Sequence, residues 1–273
     1  MPHQKHQFGD YVNYALLGLI SLAMIFPFFY VFSVSLTDPD TYVQGEFILI
    51  PKDFSLAAYK FVLGTSQLWN SLQATVFITV VGTILNLFFT MTFAYVLTKK
   101  NMPGWKFFTF MVLLILFFNA GLIPSYLLVK ELGLMNSLWA LILPGLTNPW
   151  ALFVVRSFYT TIPSSLEEAA YIDGCGVWQA FWRITLPLSA PGLAATAVLC
   201  FIFSWNDFFY ALILTRTQAI TAPVAIVNFL QYEGWEWAKI AASGTLVMFP
   251  VIVFTVLVRT YLVRGLTAGG VKD

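Results

Sequence analysis

The chain has 273 residues, of which 59% are hydrophobic and 10% charged, with 27 Phe and a net charge of +1. Soluble domains carry about 25% charged residues, so a mean hydropathy of +0.79 points to a membrane protein crossing the bilayer several times. The near-neutral charge gives no basis for nucleic-acid binding, and two cysteines, Cys175 and Cys200, read as free thiols rather than a disulfide framework.

The N-terminal MPHQKHQFGDYVNY precedes an apolar run without an A-x-A cleavage site, so that run is expected to be a retained first span. Six stretches are long enough to cross a bilayer, which takes about 20 helical residues. They lie near 12–36, 72–97, 107–129, 138–159, 188–214 and 244–263. Together they predict an all-α, six-span helical bundle forming one membrane domain over residues 1–273. The shorter ITAPVAIVNFL at 220–230 reads as a re-entrant or surface element on an outer loop. With the N-terminus inside, nine of the 14 Lys and Arg residues fall on inner segments, three of them (Lys99, Lys100, Lys106) in the short loop TKKNMPGWK. The positive-inside rule then puts both termini, and the polar segment 160–187, in the cytoplasm.

That segment contains TIPSSLEEAAYIDG. Pro163 suits the start of a helix, and Ser164 with Glu167, or Ser165 with Glu168, has capping-box spacing. A helix from about Ser165 to Asp173 is expected to stop at Gly174. A second stretch, Val177 to Ile184, carries Trp178, Phe181 and Trp182 for the membrane interface, and Pro187 and Pro191 break the chain before the fifth span. Two readings of the acids stand side by side. Glu167 and Glu168 either cap a surface helix, worth less than about 1 kcal/mol, or lie with Ala169, Ala170 and Gly174 on a smooth surface that a basic partner can dock against.

Within the spans, Asp207 is the one acid, in the run Ser204-Trp205-Asn206-Asp207. Such residues usually face the interior of a bundle, and carboxylate, amide and aromatic groups are what sugar recognition uses. Asp207 either lines a pathway or pairs with a neighbouring helix. Asn119 and Asn148 are further candidates, with helix-packing hydrogen bonds as their alternative role.

Glu168-Ala169-Ala170, three residues, Gly174, nine residues, then Ile184-x-Leu186-Pro187 resembles the EAA signature of bacterial ABC importer permeases. AYIDG, WQAFWRITLPLSAPGL, FSWNDFFYALIL and the ending RGLTAGGVKD are similar to the carbohydrate branch, and specifically to its maltose-type second permease. Cys175 stands where that family commonly has Ala, and Asp273 where it usually ends in Gly. The resemblance implies the type I importer fold, with the EAA helix as the coupling helix that docks in a cleft of a cytoplasmic ATP-binding subunit. By carry-over, Glu168 is the acidic contact, Ala169 and Ala170 the close-packed face and Gly174 the elbow. Ile184, Leu186 and Pro187 fasten the segment to the fifth span, and the tail from Gly265 is a further candidate for contact with the ATPase. Implied partners are a second, related permease, an ATPase dimer, an extracytoplasmic solute-binding protein, a sugar and membrane lipid. The implied location is the bacterial inner membrane.

The chain has no G-x-x-x-x-G-K-[ST] loop, so ATP and Mg are expected on the partner, with no cofactor, metal or catalysis here. A polyamine or phosphate-ester permease is the nearest alternative. A secondary transporter would call for inverted repeats or an ion relay. An intramembrane enzyme lacks H-E-x-x-H, and both His3 and His6 sit in the N-terminal tail.

Overall fold

In the computed structural model, residues 8–43, 45–51, 53–216, 219–232 and 237–270 are described. His3, His6, the side chains of the tail from Gly265 and residues 271–273 lie outside the described residues. The described chain is almost wholly helical, with one isolated antiparallel bridge, Thr37 to Phe54. It divides by its contacts into two compact units, Met1–Trp69 with Ala225–Phe249, and Asn70–Val224 with Pro250–Asp273.

In the first unit, α1 (Phe8–Ser35) is apolar on every side, and none of its apolar window is buried by the rest of the chain. A helix that is apolar all round needs a non-aqueous surround. The loop after α1 folds back on its end. Ser33 Oγ donates to the Leu49 carbonyl at 2.7 Å, Tyr30 stacks on Phe47 at 5.7 Å, and Ser35 and Tyr59 share a hydroxyl hydrogen bond at 2.7 Å. Tyr59 belongs to α2 (Ala57–Gly64).

The second unit carries most of α3 (Ser66–Thr98), then α4 (Trp105–Phe117) and α5 (Leu122–Glu131). Next come α6 (Trp139–Ile142), a 3₁₀ turn (Leu143–Gly145), α7 (Pro149–Thr160) and α8 (Ser164–Ile172). A polar-to-apolar linker follows: α9 (Val177–Ala180), a π turn (Phe181–Thr185) and α10 (Leu186–Leu188). After it run α11 (Ala190–Trp205) and α12 (Phe209–Leu214). The helices α13 (Ala222–Tyr232) and α14 (Trp237–Gly270) close the described chain. The start of α13 is buried, and the Ala222 N–H donates to Thr75 Oγ1 of α3 at 2.8 Å.

Three helices are long and apolar enough to cross a membrane unbroken: Gly9–Ser35, Ser66–Thr98 and Trp237–Arg259. The count reaches five if each of two bent pairs is one span, so the expected six uninterrupted spans are not what the described residues form. The run 107–129 is α4 and α5, bent by 118° at Phe118–Gly121. The run 138–159 is the short α6, the 3₁₀ turn and α7, with a gap at Leu146–Asn148. The run 188–214 is α11 and α12, separated at Asn206–Phe208. Each gap holds an Asn or Asp whose side chain offers the backbone an alternative partner to the helical carbonyl.

Two buried clusters hold the second unit together. Tyr95, Leu97, Val112, Leu152, Val155, Tyr159 and Phe181 join α3, α4, α7 and the π turn. Val129, Ala140 and Leu214 join α5, α6 and α12. Beside the latter, Asn136 takes a left-handed φ of 59°, its N–H donates to the Leu214 carbonyl at 2.8 Å, and its Oδ1 accepts from the Arg216 N–H at 2.9 Å.

Candidate functional site

The acidic helix forms where expected and ends as expected. Gly174 adopts φ +84°, Cys175 N–H donates to the Ala170 carbonyl at 2.9 Å, and Gly174 N–H donates to that of Tyr171 at 3.1 Å. That pair of bonds is a Schellman ending, which uses a residue without Cβ at the left-handed position. The start differs. Pro163 is the capping residue and has no side-chain acceptor, so neither capping box forms. Glu167 is turned instead toward the chain's own interior. Its Oε2 accepts from Lys99 Nζ, and its Oε1 accepts from Thr185 Oγ1 at 3.0 Å.

The two acids therefore face different surroundings. Glu168 and Ala169 are exposed, as are Leu166 and, at 86%, Ile172. Ala170 is buried beneath the helix, so of the two alanines only Ala169 is on the open face. Sequence reasoning passed over Leu166 and Ile172; their signal was an apolar side chain at each flank of an otherwise polar helix. Gly176 N–H donates to Gln179 Oε1 at 3.1 Å, which starts α9. Phe181 is fully buried, 4.8 Å from the Tyr95 ring and 5.5 Å from that of Trp178. Ile184 and Leu186 are half-buried, Leu186 against the Tyr95–Phe181 cluster, and Pro187 is exposed within α10. The chain turns at Ser189, two residues beyond Pro187, by 80° into α11.

The three gaps in the helices meet around two adjoining cavities of about 620 and 550 Å³. Asn119, Asn148, Asp207 and Tyr210 line both, Ser204 the second, and Ser125, Thr147 and Trp150 the first. The polar residues also build the gaps. Asn119 Oδ1 accepts from the Gly121 N–H at 2.9 Å, next to Gly121 at φ +85°. Asn148 caps α7, accepting from the N–H groups of Trp150 and Ala151 at 2.9 and 3.2 Å, with Pro149 at the first helical position. The Asp207 carboxylate accepts from the Tyr210 N–H at the head of α12.

Of the four residues Ser204 to Asp207, the structure brings Ser204 and Asp207 to the cavities and leaves the middle pair out. Trp205 is buried and stacks on Phe201 at 5.9 Å. Asn206 is exposed and its Nδ2 donates to the Ile202 carbonyl at 2.8 Å.

Asn86 completes the wall of the second cavity and was not anticipated. Its Nδ2 donates at 2.6 Å to the Gly145 carbonyl, which the 3₁₀ turn leaves free, and its Oδ1 accepts from Cys200 Sγ at 3.2 Å and Thr90 Oγ1 at 3.3 Å. An Asn in the middle of a long apolar helix was its signal. Among the residues lining the two cavities Asp207 alone is charged, and no cluster of metal ligands occurs among the described residues. The arrangement offers amide, hydroxyl, carboxylate and aromatic groups to a polar solute.

Apolar helices broken around a polar cavity, with an acidic helix standing outside the apolar bundle, are the parts of a membrane permease. Residues 105–268 match the family described as Binding-protein-dependent transport system inner membrane component, and the chain belongs to that family. It is 42% identical over 210 residues to Protein LplC of Bacillus subtilis (strain 168), covering 77% of this chain and 71% of that protein. It is 36% identical over 272 residues to the trehalose transport system permease protein SugB of Mycobacterium tuberculosis (strain CDC 1551 / Oshkosh), covering 96% and 94%. The fold superposes with a TM-score of 0.84, at 30% identity and over 94% of this chain and 99% of the other, on a chain from the crystal structure of a bacterial ABC transporter involved in the import of the acidic polysaccharide alginate. The chain is thus a multi-pass inner-membrane permease of an ABC importer.

Proposed function

We propose that this permease forms half of the pathway for a sugar and is driven by a separate ATP-hydrolysing subunit seated on α8. The observation that carries the first part is the meeting of three helix gaps at one polar cavity. Asn119, Asn148, Asp207, Ser204 and Tyr210 give it hydrogen-bonding groups of both kinds, and Trp150 and Tyr210 give aromatic faces. Polyhydroxylated solutes are held by that mixture, and relatives carrying sugar names in their descriptions support it. For the second part, Glu168, Ala169, Leu166 and Ile172 form an exposed acidic and apolar face with no use inside the chain. A second permease completes the pathway, a solute-binding protein delivers the sugar outside, and both termini and α8 face the cytoplasm. This chain catalyses nothing, and ATP with Mg binds the partner.

The test is purification of the tagged full chain from its own membranes. An ATP-binding subunit and a second permease should come with it. Cells with and without the gene are then given ¹⁴C-labelled mono- and disaccharides, spermidine and sn-glycerol 3-phosphate. Loss of uptake of a saccharide alone supports the reading. Loss confined to spermidine, for which the Asp207 carboxylate would be the counter-charge, or to the phosphate ester, replaces the sugar with that solute.

A further inference from the structure

Both oxygens of the Glu167 carboxylate are used within the chain, although its neighbour Glu168 is exposed. Each bond goes to a different segment. Lys99 is the first residue after α3, and its ammonium lies 4.5 Å from the centre of the Tyr95 ring. Thr185 ends the π turn and is buried. Phe181, at the other end of that turn, sits against Tyr95 and Tyr159 in the cluster that joins α3, α4 and α7. The side chains of Lys99 and Glu167 are only 34% and 17% exposed, so the pair is partly shielded from water, and both of its contacts are charge-assisted hydrogen bonds.

We infer that Glu167 is a positioning residue, a latch through which α8 grips the end of α3 and the π turn at once, and not a contact for the ATP-hydrolysing subunit. Apart from this carboxylate, α8 is tied to the following helices through the Gly174 elbow, whose glycine backbone is permissive. A push on α8 through the elbow alone would be taken up by rotation there. With the latch closed, the same push moves Lys99 and Thr185 with it, and so displaces α3 and the linker to α11 as one body. This inference rests on the proposal that α8 receives motion from a partner.

The test uses the tagged full chain with whatever subunits co-purify, and Mg-ATP as the probe. Glu167→Gln and Lys99→Glu, singly, should lower ATP hydrolysis by about tenfold, the scale at which residues along a coupling path act, with unchanged recovery of the ATP-binding subunit. The reversal Lys99→Glu with Glu167→Lys should restore the rate. Unchanged hydrolysis in the single variants, or no restoration by the reversal, overturns the latch. So does loss of the ATP-binding subunit from Glu167→Gln, which would make Glu167 a docking contact. A measurement independent of any partner is the spin-label distance between Asn101→Cys and Leu166→Cys, with Cys175 and Cys200 replaced by Ser, in lipid nanodiscs. Glu167→Gln should broaden the distribution and the reversal should narrow it; an unbroadened distribution overturns the latch. Failure of the wild-type chain to bring down any ATP-binding subunit overturns the proposed function instead, and broadening in the nanodisc would still uphold the latch.

Discussion

Gly192 is the third residue of α11, just past the turn that joins the linker to the fifth apolar run. A Cβ built there would lie 2.4 Å from two ring carbons of Phe158 in α7 and 2.7 Å from a third. Carbon atoms rest about 3.5–4.0 Å apart, so Gly192→Ala forces the ring or the helix to move by about 1 Å. Overpacking of this kind costs about 1–3 kcal/mol, and a shift of whole ring carbons, not a flexible tip, belongs at the top of that range. Ala is favoured over Gly in a helix by about 1 kcal/mol, which leaves a net loss of about 2 kcal/mol. Melting of the full chain in detergent, followed by size-exclusion chromatography of a fluorescent fusion, should show Gly192→Ala unfolding several degrees below wild type, with reduced uptake. Adding Phe158→Leu removes the ring and should recover most of the loss, giving a coupling between the two substitutions of at least about 1 kcal/mol. A Gly192→Ala chain that melts like wild type, or a double variant no better than the single one, would refute a close α7–α11 crossing.

The other expectations concern the two sites. Glu168→Lys should abolish uptake and strip the ATP-binding subunit from the purified chain while membrane insertion, read by alkaline extraction, stays normal; retained uptake would remove α8 as the docking face. Asp207→Asn should alter the transport rate or sugar preference, since it deletes the only charge lining the cavities; identical kinetics would make Asp207 a packing residue. Asn86→Ala should destabilise the chain by about 1–2 kcal/mol by leaving the Gly145 carbonyl without its 2.6 Å partner. Its detergent melting curve checks this, and Asn86→Gln, which keeps an amide, should lose less.

Hydropathy identified the apolar runs because run length is what a bilayer demands, and a short signature spacing marked α8 because its residues are close in sequence. Where α8 stops was readable too, since Gly174 alone could take the left-handed turn that closes it. What escaped was backbone continuity. A run such as 107–129 has the same hydropathy whether it is one helix or two at 118°, and the gap depends on Asn119 trading a helical bond for the Gly121 N–H. Asn119, Asn148 and Asp207 were noticed one at a time, as buried polar residues, because nothing local says that three interruptions converge. Glu167 was grouped with Glu168 because adjacent carboxylates look alike on paper. The two point apart because consecutive helical side chains are about 100° apart, and the residue that claims Glu167 lies 68 positions earlier. Trp205 and Asn206 shared a promising motif with Asp207, but at the end of α11 those same rotations carry them away from the cavity.

The π turn from Phe181 to Thr185 fixes the phase of everything after it. A π turn accommodates one more residue than an α turn, and each helical residue advances the side-chain direction by about 100°. Deleting one residue within that turn would let the linker relax to plain α-helix with nearly unchanged composition and hydropathy. Leu186 would then swing away from the Tyr95–Phe181 cluster, and Ser189, where the chain bends, would be reached one step early. Substitutions there can be tolerated by size, but a single codon lost would misdirect the whole following helix.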